Sequence, residues 1–313
     1  MRDNPQCQRE RDVLAPPEAA LHRVDNAGTV SVDHYENFPV ASLLCPPSLR
    51  PVVAAIYWFA RTADDLADEG DAPAGQRLAD LAAYRRDLEA VVSGLPPSLR
   101  WSPVFRPLGE AIARFALPPD LLRDLLSAFE QDVVQNDYAD RAELLDYCRR
   151  SANPVGRLLL HLYGIRGEAE LAQSDAVCSA LQLANFWQDL STDTRRGRLY
   201  APRSDRSRHR VDDQALLTGR DGPDVRSLIA DLVAWARSLM WRGAPLVHAV
   251  PGRAGWELRL VVQGGLRTLE KIERMDFATL LSRPRLTWRD APLLVWRALC
   301  MRPASAVMAG EAS

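Results

Sequence analysis

Lysine is all but missing from this 313-residue sequence: Lys271 is the only one among 39 basic residues. The others are arginines, whose planar guanidinium suits bidentate contacts with phosphate or carboxylate, although a genomic base bias would give the same usage. Cysteine is also scarce. Cys7, Cys45, Cys148, Cys178 and Cys300 are scattered with no pair at metal-ligand spacing. That excludes a disulfide framework or a thiolate zinc site and points to a reducing compartment. No two histidines stand in a His-x-x-x-His pair, which removes the commonest imidazole zinc pattern. No window approaches 18 uncharged apolar residues, since 231–250 is broken by Asp231, Arg237 and Arg242. The polar stretch from Met1 to Asp12 has no apolar h-region behind it. A formal net charge of −2 gives no sign of a nucleic-acid partner. The chain is therefore expected in the cytoplasm, at most lying peripherally on the inner membrane face, with no amphipathic anchor evident. Alternating strand patterns are missing too, and so is a Gly-rich dinucleotide fingerprint.

What is present is helical periodicity. Apolar residues recur three and four apart over 105–115, 120–136, 142–163, 168–192, 225–247 and 253–276. An earlier helix is expected from about Ser48, after Pro46-Pro47, to Glu69, followed by another from Arg77 to Val92. The fold class is all-α, a single-domain helical bundle. Residues 1–30 read as a tail, 31–290 as the domain, and 291–313 as a short helix with Trp296 and a second tail. The stretch 196–223 reads as a long polar loop, a length often tied to function.

Two of these helices carry polar residues where a core face is expected. Tyr57, Arg61, Asp64 and Asp68 fall at i, i+4, i+7 and i+11, and so lie on one stripe. Gln182, Asn185, Asp189 and Asp193 fall at i, i+3, i+7 and i+11, with Arg195, Arg198 and Tyr200 just beyond. A single Asp-x-x-x-Asp is ordinarily a solvated acidic face. Two of them, each with further polar residues in line, would give a concave site of at least four oxygen donors if they faced each other. That donor set suits Mg²⁺, which prefers hard oxygen ligands, keeps several waters and is commonly completed by a diphosphate.

Five stretches, His34–Pro39, Tyr57–Asp68, Tyr147–Gly156, Gln182–Asp193 and Arg195–Tyr200, resemble the squalene/phytoene synthase family of all-α isoprenoid synthases. The resemblance is nearest to the bacterial hydroxysqualene synthase branch of the hopanoid pathway, and it implies a helical bundle with a central cavity. It implies that Asp64 and Asp68 form a first Mg²⁺-binding pair and Asp189 and Asp193 a second, with Asn185 assisting and Gln182 lining the same wall. It further implies catalytic contacts from Tyr57, Arg61 and Tyr147, and substrate contacts from Asn37, Phe38, Arg195, Arg198 and Tyr200. Two departures stand out: Tyr35 and Asn37 replace small hydroxyl residues, and Gln188 fills a slot where phytoene and many squalene synthases carry arginine. In this branch the implied reaction converts presqualene diphosphate and water to hydroxysqualene and diphosphate. The alternatives are condensation of two farnesyl diphosphates and a non-catalytic assembly factor of the same fold. The partners implied are a prenyl diphosphate, a membrane surface and enzymes of the hopanoid pathway. Phe186 and Trp187 are either cavity wall or core, and Asp132 either supports the cavity or belongs to a helix surface.

Overall fold

The computed structural model describes residues 45–301, and the expectations placed on Asn37, Phe38 and the two tails lie outside them. The chain divides into two compact units, 1–119 and 120–313.

In the first unit three helices pack pairwise: α1 (Arg50–Asp68), α2 (Ala74–Val92) and α3 (Ser102–Phe115). Pro51 in the first turn of α1 needs no N–H partner there. The buried residues of α1 include Val52, Ile56, Phe59, Ala63 and Ala67, the recurrence that puts one face into the core. Phe59 stacks on Tyr84 of α2 with ring centroids 5.6 Å apart, and Phe105 of α3 meets Tyr84 at 4.5 Å. The buried Tyr84 hydroxyl donates to the Phe59 carbonyl at 3.1 Å, which satisfies its one polar atom. Arg77 donates to the carbonyls of Ala67 and Gly70, so a side chain from α2 satisfies backbone left over at the end of α1.

The second unit contains α4 (Pro119–Asp132), α5 (Arg141–Ser151), α6 (Asn153–Leu162), α7 (Glu168–Gln188), α8 (Leu190–Asp193), α9 (Arg203–Arg208), α10 (Asp213–Leu217), α11 (Pro223–Gly243), α12 (Leu246–Ala249), α13 (Gly252–Arg274) and α14 (Ala291–Cys300). Helix α7 is its axis, packed by α5, α6, α11 and α13. Glycine makes the closest approaches possible. A Cβ on Gly243 would sit 2.4 Å from the Gln173 carbonyl oxygen, and one on Gly265 would sit 2.6 Å from Met240 Cε. Gly265 thus serves close packing of α13 on α7 and α11.

The structure differs from the periodicity in three places. The 142–163 pattern is two helices, because Pro154 has no N–H to continue the ladder. The 168–192 pattern pauses at Asp189, whose φ of −95° and ψ of 9° leave the helical region. The 196–223 stretch is no open loop: it folds into α9 and α10 and is strapped to the segment before α5. Leu199 N donates to Asn136 O at 2.7 Å and Arg203 N to Tyr138 O at 2.9 Å. Buried Arg206 pairs with Asp137 at 2.8 Å, and Arg141 with fully buried Asp205 at 2.8 Å. Among the described residues there is no strand, only an isolated bridge between Asp137 and Leu199. None of these helices is long and apolar enough to cross a membrane.

Candidate active site

Helix α1 buries Ala63 and Ala67 on one side and leaves Tyr57, Arg61, Asp64 and Asp68 half-buried on the other, so the stripe is neither core nor fully solvated. Arg61 is the cation that relieves the acidic crowding. Its guanidinium lies 3.4 Å from Asp64, 2.6 Å from Asp65 and 2.9 Å from Glu69. Asp65 and Glu69 are additions to the expected set, and their i+4 and i+8 spacing from Arg61 is the signal that could have found them. Burial of the Asp65 carboxyl raises its pKa to about 7; Arg61 opposes this, while Glu69 and Asp64 push the same way as burial.

In the second unit the pause at Asp189 does not break the stripe. Asp189 N donates to Asn185 O at 2.8 Å and Asp193 N to Asp189 O at 3.0 Å, so the one-turn spacing carries through from α7 into α8. Gln182, Asn185, Asp189 and Asp193 are all half-buried, while Leu183, Ala184, Phe186 and Trp187 are buried around them. Gly197, with φ of 76°, ends the 3-10 turn that follows α8, and Arg198 N then donates to Asp193 O at 2.9 Å. Arg198 is half-buried there. Arg195 is exposed and lines a cavity of about 280 Å³ with Thr194, Thr218, Gly219 and Leu280.

Arg283 was not marked by the sequence. It lies on the segment between α13 and α14, and its Nε forms an ion pair with Asp189 Oδ1. Gln188 is buried, and its side-chain amide donates to Pro284 O at 2.7 Å, holding that segment against the end of α7.

Tyr147 is buried and its hydroxyl donates to Asp132 at 2.9 Å, so Asp132 supports a candidate catalytic residue and is not idle surface. Burial first, then the charge of Asp132, holds the Tyr147 hydroxyl well above its ordinary pKa, so it stays protonated. Phe186 and Tyr200 stack at 3.7 Å with their planes 10° apart, and Tyr138 stands 5.6 Å from Tyr147 and 6.0 Å from Tyr200. Phe186 and Trp187 belong to the same hydrophobic core cluster as these tyrosines.

Among the described residues no group of three or more His, Cys, Asp or Glu side chains gathers into a metal site. The donor chemistry still fits Mg²⁺. Each stripe offers two carboxylates one turn apart, the second with an Asn amide beside them, and Mg²⁺ takes one or two carboxylates when water and substrate phosphate complete its shell. Asp189 already holds a cation, the guanidinium of Arg283.

An all-α chain with two acidic, one-turn-spaced stripes and buried aromatics beside the second has the features of an isoprenoid synthase. The squalene/phytoene synthase family model matches residues 32–291, and the chain belongs to that family. It is 34% identical over 245 residues to a hydroxysqualene synthase of Rhodopseudomonas palustris, covering 77% of this chain and 80% of that one. A presqualene diphosphate synthase of the same organism is 33% identical over 191 residues, 61% of this chain and 64% of its own. The crystal structure of squalene synthase HpnC from Alicyclobacillus acidocaldarius superposes with a TM-score of 0.72 at 37% identity, covering 78% of this chain and 90% of that chain.

Proposed function

We propose that this chain is a Mg²⁺-dependent hydroxysqualene synthase that converts presqualene diphosphate and water to hydroxysqualene and diphosphate. The observation that carries the choice within the family is Gln188. In place of the arginine found there in phytoene and many squalene synthases stands a neutral amide, and that amide is engaged by the Pro284 carbonyl. That slot therefore offers no guanidinium of its own to a second diphosphate, and the nearby Arg283 is held on Asp189. The similarity to hydroxysqualene synthases supports the same reading.

In this reading Asp64, Asp68, Asn185, Asp189 and Asp193 hold the metal, Gln182 lines the same wall, and Mg²⁺ when bound stabilises the charge that grows on the departing diphosphate. Arg61 and Arg198 offer guanidinium donors to the same oxygens. Asn37, Phe38, Arg195 and Tyr200 are assigned to substrate contacts. The bond from the cyclopropylcarbinyl carbon to the diphosphate oxygen breaks with its electron pair on oxygen. Tyr57 and Tyr147 present ring faces to the cation left behind, and the apolar wall delays water until rearrangement is complete. Water then adds its oxygen, and its proton passes to solvent or to the released diphosphate.

The second reading, condensation of two farnesyl diphosphates, is favoured by the similarity to presqualene diphosphate synthase. Purified protein incubated with Mg²⁺ and each diphosphate separately, with lipid products analysed, distinguishes the two. Hydroxysqualene from presqualene diphosphate is the expected result; turnover of farnesyl diphosphate to presqualene diphosphate would overturn the first reading.

A further inference from the structure

Helix α14 buries Ala298 and half-buries Leu293 and Leu294 against the protein, yet carries a second apolar stripe that faces outward. Pro292, Val295, Trp296, Leu299 and Cys300, at i, i+3, i+4, i+7 and i+8, are all exposed, with Val295 at 50%, Trp296 at 61% and Leu299 at 59%. Toward the protein, Arg297 pairs with Glu270 of α13, and the carbonyls of Ala298 and Met301 accept from Arg259. A one-sided helix normally faces its apolar stripe inward.

The surroundings continue the pattern. Trp288, in the turn before α14, is 81% exposed. The Arg259 guanidinium that holds the end of α14 also lies 4.8 Å over the ring of exposed Trp256. Exposed Trp241 lines a cavity of about 710 Å³ together with Cys300 and Met301.

Basic side chains dominate the exposed charge around the stripe. Helix α14 contains no acidic residue. Arg242, Arg253, Arg285 and Arg289 are exposed on the flanking segments. The acidic side chains there are engaged: Glu270 with Arg297 and Arg267, Glu273 with Arg237, Asp290 with Arg267 and Lys271. Glu257 is half-buried.

We infer that α14, with Trp288, Trp256 and the arginines around them, is the surface by which this chain docks on an anionic lipid bilayer. Tryptophan has an apolar ring with one polar edge, which suits the headgroup boundary, and arginines beside it meet lipid phosphates. A second copy in a two-fold interface would set this basic patch against itself, with no free carboxylates to answer it. The inference does not depend on which diphosphate the enzyme turns over.

The test is cosedimentation of the full chain with vesicles of phosphatidylcholine alone or mixed with phosphatidylglycerol. Binding to the mixed vesicles that weakens with salt is expected, with little binding to phosphatidylcholine alone. Trp296→Ser combined with Leu299→Ser should lower the partition coefficient about tenfold or more, and Arg289→Glu should lower it and flatten its salt dependence. Absence of binding by the unaltered chain, or equal binding by the double variant, would overturn the inference. So would light scattering that finds a dimer which the double variant turns into a monomer, since the stripe would then be a self-interface.

Discussion

Arg283 and Asp189 form an ion pair beside a second, parallel link between their chain neighbours, Gln188 to Pro284 O at 2.7 Å. Two adjacent contacts thus lay the segment before α14 along the end of α7 and put a guanidinium on a carboxylate assigned to metal. Guanidinium and metal ion compete for one set of oxygens. Arg283→Gln is therefore expected to tighten binding of Mn²⁺ by the substrate-free protein, read by electron paramagnetic resonance. The gain should be about threefold to tenfold, as expected for loss of a half-buried pair of ~1 kcal/mol. Arg283→Lys should stay near the unaltered protein. Weaker binding in Arg283→Gln would show instead that the arginine supports the site.

Asp64→Ala and Asp189→Ala should each reduce diphosphate release from presqualene diphosphate by about 10²–10³-fold, the scale of losing one preorganised electrostatic contact to a leaving group. Both side chains are half-buried and polar, so the variants should remain folded. Release at the unaltered rate would mean that the two stripes are solvated faces; no release even by the unaltered protein would mark a non-catalytic relative of the fold.

The stripes were legible because a 3.6-residue period brings i, i+4, i+7 and i+11 to one side whatever the tertiary packing. Arg61 as the cation between Asp64 and Asp65 was half-legible: its stripe position could be read, its grip on Asp65 and Glu69 could not. Arg283 was invisible, since it reaches Asp189 only through the fold of a segment far along the chain. Phe186 and Trp187 could be read as wall or core, because an aromatic on an apolar helix face gives one pattern for both. The outward stripe of α14 was unreadable for a related reason: periodicity shows that a helix has two faces, and only packing shows which one faces the protein. The single long loop expected over 196–223 failed on length, since α9 and α10 are each shorter than a periodic window can detect.

Tyr147→Phe isolates the hydroxyl from the ring. The hydroxyl donates to Asp132 in a buried setting, so its loss should lower stability by about 1–2 kcal/mol, read as a shifted denaturant midpoint at constant slope. The ring remains available to a cation, so turnover should fall less than in Tyr147→Leu. Equal loss in the two variants would move the role from the ring face to the hydroxyl.

Asp290 ties α14 to α13 through charge, and that tie should titrate. Burial alone would raise its carboxyl, but Lys271 at 2.6 Å, the Thr287 backbone at 2.8 Å and Arg267 at 2.9 Å outweigh it and hold the pKa well below the usual carboxylate range. Protonation therefore favours the unfolded chain. The stabilisation is fully present above the unfolded value of 3.8 and is lost as pH falls from there through the folded pKa. At pH 7 Asp290→Asn should cost about 2–4 kcal/mol, since it leaves Arg267 and Lys271 without their shared counter-charge. Melting curves of both proteins from neutral to acid pH should then converge below about pH 4, where the native carboxylate begins to lose its advantage. A gap between the curves that stays constant with pH would mean that the shape of the Thr287–Asp290 capping box, and not the carboxylate charge, holds α14 in place.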